Sequence, residues 1–305
     1  MLLNHFNPAQ KRIALREALK SGRLLQFPGA ISPLTAMEIT RQGFDGIYVS
    51  GSVLSNDLGY PDIGLTTLSE IAQRGRQIAR VTPLPSIIDA DTGFGEPLNT
   101  ARTIQELIES GIAGCHLEDQ VQPKRCGHLD GKSLVSVSEM VKKIKAADLA
   151  RKIDPHFVII ARTDARATEG LEGAIERAKA YVDAGADVIF PEALGNEREF
   201  EAFRKALSVP LLANMTEFGK SPLLSYRELQ QLGYNIVIYP VTLLRLSMGV
   251  IRRGLMEIKS KGHQRDLVSQ MQTRQELYEL TSYETYNQWD QSIFNFTVTT
   301  TKKEE

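Results

Sequence analysis

Three carboxylates that follow short apolar runs are the first residues whose types and spacing could do chemistry. Asp89 and Asp91 end the run SIIDAD, and Glu118 stands near the end of GCHLED. Residues two apart on an extended strand point to the same side of it, so both aspartates would face one site. Oxygen ligands without nearby sulfur suit a hard divalent cation, Mg²⁺ or Mn²⁺. Capping of the next helix, or an ion pair with Arg162, is the structural alternative.

Two arginines in similar positions could hold the carboxylates of a substrate. Arg162 follows the apolar run HFVIIA, and Arg245 comes shortly after NIVIYP. A guanidinium group matches a carboxylate with two parallel hydrogen bonds. A single arginine in such a place is more often part of a structural ion pair. Two of them, beside the acidic residues, favour a carboxylate-binding site.

The stretch 119–136 is predicted to be a long loop, and it contains a cysteine among basic residues. It reads PKRCGH at 123–128, so a lysine, an arginine and a histidine accompany Cys126. Such a setting can tune the pKa of a thiol. Long loops over the mouth of a barrel often act as lids. The motifs HExxH, CxxC and GxSxG, which indicate other chemistries, are absent from the sequence.

The elements that must position these residues alternate between apolar strand-like runs and helical patterns. The strand-like runs are 24–30, 46–51, 84–91, 113–119, 156–164, 186–193, 209–215 and 234–240. The helical patterns cover 33–42, 67–81, 97–110, 137–152, 170–184, 196–207, 225–232 and 242–261. Such alternation predicts a parallel sheet. Eight units in one chain favour an α/β fold of the TIM (β/α)₈ barrel type over a doubly wound open sheet.

The expected barrel explains where the polar residues lie and leaves a C-terminal segment over. In a TIM barrel the reactive side chains sit at the carboxyl ends of the strands, which is where the residues named above occur. We predict residues 1–263 to form the barrel and 264–305 to be a helical extension of the same domain. Eight units complete a barrel, so the apolar positions of the extension must cover a barrel end or another subunit.

The overall composition excludes several classes of function. Thirty-six Lys and Arg against 37 Asp and Glu give a charge of −1, which gives no reason to expect non-specific binding to a nucleic-acid backbone. Two cysteines exclude a disulfide framework. The apolar stretch 232–251 contains Asn, Pro and Arg, which predicts a strand and a helix and not a membrane span. The first residues lack the apolar core of a secretory signal, so we expect a cytoplasmic protein.

Several motifs together resemble the isocitrate lyase and phosphoenolpyruvate mutase superfamily. They are PKRCGH at 123–128, YVSG at 48–51, DADTGFG at 89–95, LEDQ at 117–120, ARTDA at 161–165, FPEA at 190–193 and NMTEFGKSP at 214–222. The resemblance extends over nearly the whole chain. It implies a TIM barrel, usually tetrameric, whose C-terminal helices swap between neighbouring subunits, and a Mg²⁺-dependent cleavage of a carbon–carbon bond.

The resemblance also implies binding roles for individual residues. It implies a metal site of Asp89, Asp91 and Glu118 for Mg²⁺, with Mn²⁺ as a substitute. The implied substrate-binding residues are Ser50, Gly51, Ser52, Gly127, His128, Arg162, Glu192, Asn214, Met215, Thr216, Arg245 and Arg274. Ser52 replaces a glycine that many members have there, and the stretch around it is one residue shorter than in those members.

The implied catalytic residues are an acid, a charge stabiliser and a base. Cys126 matches the acid that protonates the succinate carbanion, and Arg162 would stabilise the enolate of departing pyruvate together with the metal. Tyr48, or a metal-bound water held by Asp62, would take the hydroxyl proton of the substrate.

Within the superfamily the residues favour members that cleave 2-methylisocitrate into pyruvate and succinate, a step of the methylcitrate cycle in propionate catabolism. Phe190 stands where isocitrate lyases carry Trp, and a smaller ring leaves room for a methyl group. The letters EFG at 217–219 stand where lyases of alkylmalates and oxaloacetate tend to read EGG. Those lyases and isocitrate lyase are the enzymatic alternatives. A non-catalytic barrel that binds a carboxylate is disfavoured by the retained acid, carboxylates and arginines.

Overall fold

The computed structural model describes residues 6–129 and 131–295. These residues form two compact units, a barrel unit that ends at Val250 and a C-terminal unit that begins at Ile251. The domain boundary expected from the sequence, between 263 and 264, stays a prediction.

The barrel unit is built on eight parallel strands. They are β1 Leu25–Pro28, β2 Ile47–Val49, β3 Ser86–Asp89, β4 Gly114–Glu118, β5 Val158–Thr163, β6 Val188–Pro191, β7 Leu212–Asn214 and β8 Ile236–Tyr239. Five of them form one sheet in the order β2-β3-β4-β5-β6, and the others form a sheet in the order β1-β8-β7. Single parallel bridges, Gly29 with Tyr48 and Ile189 with Leu211, join the two sheets and close the ring. The predicted α/β fold with parallel strands is confirmed, and each strand lies within one of the eight predicted runs.

Helices connect the strands of the barrel unit, and further helices follow β8 along the chain. The described helices are α1 Pro8–Lys20, α2 Pro33–Arg41, α3 Gly51–Asp57, α4 Leu68–Ala79, α5 Pro97–Glu109, α6 Val137–Ala150, α7 Arg166–Asp183, α8 Glu197–Ala206, α9 Tyr226–Gln231, α10 Thr242–Lys261, α11 Arg274–Leu280 and α12 Tyr283–Phe294. Helices α1 and α3 were not predicted from the sequence. The stretch 232–251 forms β8 and the start of α10, and within the described residues we find no helix with the length and apolarity needed to cross a membrane.

Helix α1 packs against the amino ends of the strands with side chains that look like ordinary surface residues in the sequence. Leu15 is fully buried with the apolar residues inside the barrel. Lys11 donates to the carbonyl of Ala79 at 2.6 Å, and Arg12 Nε donates to the carbonyl of Ile112 at 2.8 Å. These cations satisfy carbonyl groups that end helices and precede strands, so burial does not leave either cation without a hydrogen bond.

Strand alternation divides the core into an inner and an outer layer. In β5, Val158 and Ile160 belong to the inner cluster, whereas Ile159 and Ala161 pack in the outer layer against the helices. The same alternation directs Arg162, two residues beyond Ile160, toward the barrel interior. It therefore brings the polar residues at the strand ends to one mouth.

The C-terminal unit contains α11, α12 and a 3₁₀ turn at Arg265–Gln270. None of the described residues in these elements is buried. Tyr278 and Tyr283 stack on each other with ring centroids 4.5 Å apart, and Trp289 and Phe294 are exposed. Large apolar side chains thus remain uncovered within this unit.

Candidate active site

One cavity at the carboxyl ends of the strands collects most of the polar residues selected from the sequence. From that selection its lining includes Tyr48, Ser50, Ser52, Asp62, Asp89, Cys126, Gly127, His128, Arg162, Glu192, Asn214, Thr216 and Arg245. Four others are buried and contact or adjoin lining residues: Gly51, Asp91, Glu118 and Met215. Arg274 begins α11 in the C-terminal unit, so its binding role stays a prediction.

A lysine pairs with the carboxylates that were selected as metal ligands. Lys124 Nζ contacts Asp62 and lies 3.0 Å from Asp91 Oδ1. Burial alone would lower the pKa of Lys124, but the surrounding carboxylates hold it well above its ordinary value. Burial raises the pKa of Asp91 to about 6. In the sequence Lys124 stands beside the thiol, and its position among the carboxylates was not predicted.

The carboxylate cluster has the donor chemistry that Mg²⁺ prefers, although it is not preformed as a metal site. Across 6–129 and 131–295, no group of three His, Cys, Asp or Glu side chains is arranged to hold a metal ion. Asp89 and Glu118 are both buried, and Glu118 Oε1 lacks a hydrogen-bond partner in the described chain. A buried oxygen without a donor is a free acceptor, and oxygen-only donor sets fit Mg²⁺.

Arg162 is the centre of an ion-pair network at the mouth. Its Nε lies 2.9 Å from Asp164 Oδ2 and 3.4 Å from Glu118 Oε2, and its Nη1 lies 3.2 Å from Glu192 Oε2. Burial opposes the charge of Arg162, yet Asp164, Glu118 and Glu192 hold its pKa well above the ordinary value. The guanidinium also lies 5.1 Å from the ring centre of Phe190. Arg162 is therefore a fixed charge facing the cavity.

Tyr48 pairs with a histidine that the sequence analysis did not select. The Tyr48 hydroxyl lies 2.7 Å from His116 Nε2, and both side chains are buried. Burial lowers the pKa of His116 to about 4 and raises that of Tyr48 well above its ordinary value. Both are therefore neutral near pH 7. His116 precedes Glu118 by two residues on the same face of β4, and that spacing is the signal that could have identified it.

Helix α3 begins against Asp89, and the close contact requires a glycine. The Ser50 hydroxyl accepts a hydrogen bond from Val53 N at 3.4 Å and caps α3. Gly51 N donates to Asp89 Oδ2 at 3.3 Å. A Cβ at Gly51 would lie 2.9 Å from that oxygen, which is closer than real side chains approach. Gly51 thus shapes the site through its backbone.

Cys126 lies in the cysteine loop, which we define as residues 120–129, and it lines the cavity. Burial raises the pKa of the Cys126 thiol, while a hydrogen bond from the backbone N–H of His128 opposes that rise. Near pH 7 the thiol is therefore protonated. The neighbouring side chains act elsewhere, because Lys124 pairs with carboxylates and Arg125 donates to the backbone carbonyl of Pro123 at 3.2 Å. The electropositive setting expected from sequence neighbours alone is not what surrounds the thiol.

His128 connects the cysteine loop to two further strand ends. Its Nε2 lies 2.8 Å from Glu192 Oε1, and its Nδ1 accepts from the backbone N–H of Lys220 at 2.9 Å. Asn214 Nδ2 lies 3.2 Å from Glu192 Oε2. Burial would raise the pKa of Glu192, but Arg162, His128 and Asn214 together hold it below its ordinary value. Glu192 is therefore a buried carboxylate that orients its neighbours.

Arg245 is held by a glutamate that the sequence analysis did not select. Its Nη1 lies 2.8 Å from Glu217 Oε2 and 2.6 Å from the Glu217 carbonyl oxygen. Thr216 lines the cavity beside it, whereas Met215 is buried and its sulfur accepts from Leu224 N at 3.2 Å. Met215 therefore has a packing role in this structure.

The ring of parallel strands and the side chains at its mouth define an α/β-barrel enzyme. The sequence model described as phosphoenolpyruvate phosphomutase matches residues 15–259. The chain therefore belongs to that family, and the superfamily resemblance predicted from the motifs is confirmed.

Comparisons with individual proteins agree with this assignment. Probable 2-methylisocitrate lyase 2 of Corynebacterium glutamicum is 58% identical, covering 95% of this chain and 94% of the relative. The 2-methylisocitrate lyase of Halalkalibacterium halodurans is 48% identical, covering 93% of this chain and 95% of the relative. The crystal structure of 2,3-dimethylmalate lyase matches with a TM-score of 0.88 at 34% identity, covering 95% of this chain and 98% of that chain. Phosphonopyruvate hydrolase in complex with oxalate and Mg²⁺ matches with a TM-score of 0.85 at 32% identity, covering 93% and 99%.

Proposed function

We propose that this protein is a carbon–carbon lyase that cleaves 2-methylisocitrate into pyruvate and succinate. The observation that carries the proposal is the 58% identity, over 95% of the chain, to a relative named as a probable 2-methylisocitrate lyase. The cavity supports it, because a tricarboxylate needs cationic partners and the cavity is lined by Arg162, Arg245 and Lys124.

Cleavage requires the loss of one proton and the gain of another. The substrate hydroxyl loses its proton and becomes the ketone of pyruvate, while the electron pair of the broken bond remains on the succinate carbon. Negative charge therefore develops on the succinate half of the substrate. The superfamily resemblance implied an enolate of pyruvate instead, and the electron count of the reaction corrects that expectation. We assign Arg162 to that developing charge, as a fixed cation that needs no rearrangement during the reaction.

Cys126 is the group that protonates the succinate carbanion. Its raised pKa keeps the thiol protonated at neutral pH, so a proton is available for donation. The thiolate left behind accepts the hydrogen bond from the His128 backbone N–H. Gly127, which follows the acid, packs against Arg162 and Glu192 so closely that a Cβ there would overlap them. The acid and the charge stabiliser thus serve the same half of the substrate.

Tyr48 accepts the hydroxyl proton of the substrate and passes its own proton to His116. The geometry that supports this relay is the 2.7 Å separation between the Tyr48 hydroxyl and His116 Nε2. A neutral phenol can accept one proton while it donates another, so the relay needs no free phenolate. Asp62 takes part through its ion pair with Lys124, which holds the cysteine loop beside the carboxylates.

The chemistry of the donor set supports a Mg²⁺ requirement. Asp89, Asp91 and Glu118 would hold the ion, and the oxalate complex of phosphonopyruvate hydrolase contains Mg²⁺. When bound, the ion would supply Lewis acidity to the oxygens of the substrate.

The direct test of the proposed function is turnover. Protein, Mg²⁺ and 2-methylisocitrate should yield pyruvate and succinate in equal amounts. Binding of the tricarboxylate without either product would indicate a carboxylate-binding barrel instead.

The enzyme should prefer 2-methylisocitrate to isocitrate. Phe190 lines the cavity and is fully buried, with the ring of His116 edge-on to it at 5.3 Å. A pocket distinguishes one methyl group by ~1–3 kcal/mol, so we expect kcat/KM for 2-methylisocitrate to exceed that for isocitrate by roughly 10- to 200-fold. Steady-state kinetics with both substrates measures the ratio. Higher kcat/KM for isocitrate would reverse the assignment.

We further propose a homotetramer in which the C-terminal helices cross to a neighbouring subunit. The first support is that α11 and α12 have apolar side chains but no buried residues. The second is the exchange of C-terminal helices between subunits that the superfamily resemblance implies. Deletion of residues 264–305 is expected to reduce the oligomer to smaller species and to lower activity, because Arg274 is lost with it. Light scattering and the turnover assay measure both effects. A truncated protein that keeps its native mass and its turnover would refute the proposal.

A further inference from the structure

A lysine that no step of the proposed reaction uses is almost completely buried beside the cysteine loop. The side chain of Lys132 is 1% exposed. Its ammonium group donates to the carbonyl of Gly127 and lies 3.1 Å from Asp164 Oδ1. Burial of an ammonium group is costly unless its hydrogen bonds are satisfied, so these contacts define where the side chain must be.

Asp164 connects this lysine to the cation that serves the reaction. Its Oδ2 accepts from Arg162 Nε at 2.9 Å, and its Oδ1 accepts from Arg162 Nη2 at 3.2 Å as well as from Lys132. The backbone N–H of Asp164 donates to Asp119 Oδ1 at 2.9 Å. This hydrogen bond holds Asp164 beside the end of β4. Lys132 and Arg162 therefore share one fully buried carboxylate with a fixed position.

The second hydrogen-bond acceptor of Lys132 is the backbone carbonyl of Gly127, the residue that follows Cys126. Gly127 packs directly on Arg162 and Glu192, since a Cβ at this position would overlap both side chains. Cys126 precedes Gly127 and His128 follows it, so the position of this backbone determines where both side chains can reach. A hydrogen bond to the Gly127 carbonyl thus acts on the position of the Cys126 thiol.

We propose that Lys132 is a positioning residue for the acid step. It ties the Gly127 carbonyl to Asp164, and it thereby holds the Cys126 thiol in register with Arg162. Lys132 is not needed to neutralise the charge of Asp164, because Arg162 already makes two hydrogen bonds to that carboxylate. The placement of the thiol stands on geometry alone, whereas the step that it serves rests on the proposed function.

Three variants test the placement without any need for substrate. Lys132→Met keeps the length of the stem and removes the ammonium group, and Lys132→Arg keeps a cation. Lys11→Met is the matched control, because Lys11 is also a buried lysine that donates to a carbonyl but lies on α1 at the other end of the barrel. The measured quantity is the rate of iodoacetamide alkylation at Cys126, followed by mass spectrometry. Cys115, which is fully buried, serves as the internal reference.

We expect Lys132→Met to raise the alkylation rate of Cys126 by about tenfold or more, because loss of the hydrogen bond from a charged group lets the Gly127 backbone, and the thiol beside it, leave this position. In the turnover assay, kcat should fall roughly 10- to 100-fold with KM nearly unchanged, as for other residues that orient a catalytic group. Lys132→Arg should recover most of both effects. Lys11→Met should lower the unfolding temperature and leave the alkylation rate at the wild-type value.

Wild-type alkylation and kcat in a folded Lys132→Met enzyme would overturn the proposal, and so would equal effects of Lys11→Met. If Lys132→Met does not fold, Lys132→Gln is compared with the wild-type enzyme instead. This variant removes the charge and keeps a neutral, shorter donor. Failure of the wild-type enzyme to release pyruvate would contradict the proposed function. The alkylation comparison would still decide whether Lys132 places the thiol.

Discussion

Replacement of Cys126 by serine is expected to lower kcat by about 10²–10⁴-fold, the usual worth of a positioned general acid. The alcohol has nearly the shape of the thiol but is a far weaker acid, so the carbanion would persist and return to substrate. The structure supports the role, because Cys126 lines the cavity and burial keeps the pKa of its thiol above the ordinary value. Single-turnover measurements of succinate release would show the loss directly.

Cys115 provides a control for this prediction within the same chain. It lies on β4 in the outer layer of the core, and burial raises the pKa of its thiol far above the ordinary value. Cys115→Ser should stay active if it folds, because Cys115 packs in the outer core and is not among the residues that line the cavity. Substrate should also protect Cys126 of the wild-type enzyme from alkylation. A Cys126→Ser enzyme with near-native kcat would falsify the acid role and move attention to His128.

Replacement of Asp89 by alanine should reduce metal-dependent turnover on the order of 10³-fold or more, because Lewis-acid stabilisation is worth several kcal/mol and each ~1.4 kcal/mol changes the rate tenfold. Asp89 Oδ1 accepts from Asp91 N at 3.0 Å, and Oδ2 accepts from Gly51 N. The alanine variant therefore loses local order as well as a proposed metal ligand. Asp89→Asn keeps one acceptor and separates the two effects. Titration of activity with Mg²⁺ measures the change.

Removal of the metal from the wild-type enzyme tests the same assignment without a substitution. Dialysis against EDTA should abolish turnover, and added Mg²⁺ should restore it. Asp57→Asn is the matched control, because Asp57 is a half-exposed carboxylate paired with Arg74 outside the cavity. It should respond to Mg²⁺ as the wild-type enzyme does. Full activity in metal-free protein would sink the proposed requirement for a divalent cation.

The sequence alone was sufficient to predict the barrel and the position of its mouth. The strands are short runs rich in apolar residues, and several end in polar residues, as with Asp89 at the end of β3 and Arg162 near the end of β5. Strand alternation is a local property with a period of two residues, so the facing of such side chains follows from their spacing. Helix α3 was not predicted, because its seven residues carry too little apolar pattern to distinguish it from a loop.

The partners of the buried charges were decided by the tertiary structure. Lys124 reads as a neighbour of the thiol but pairs with Asp62 and Asp91, and Lys132 reads as a loop residue but is buried against Asp164. Helix α1 likewise has basic residues that a local pattern assigns to solvent, although Arg12 satisfies carbonyls a hundred residues along the chain. Ion pairs and hydrogen bonds depend on distances of a few ångströms between segments that are remote in sequence. Residue spacing therefore determined which groups reach the mouth, and only the folded chain determined which of them neutralise one another there.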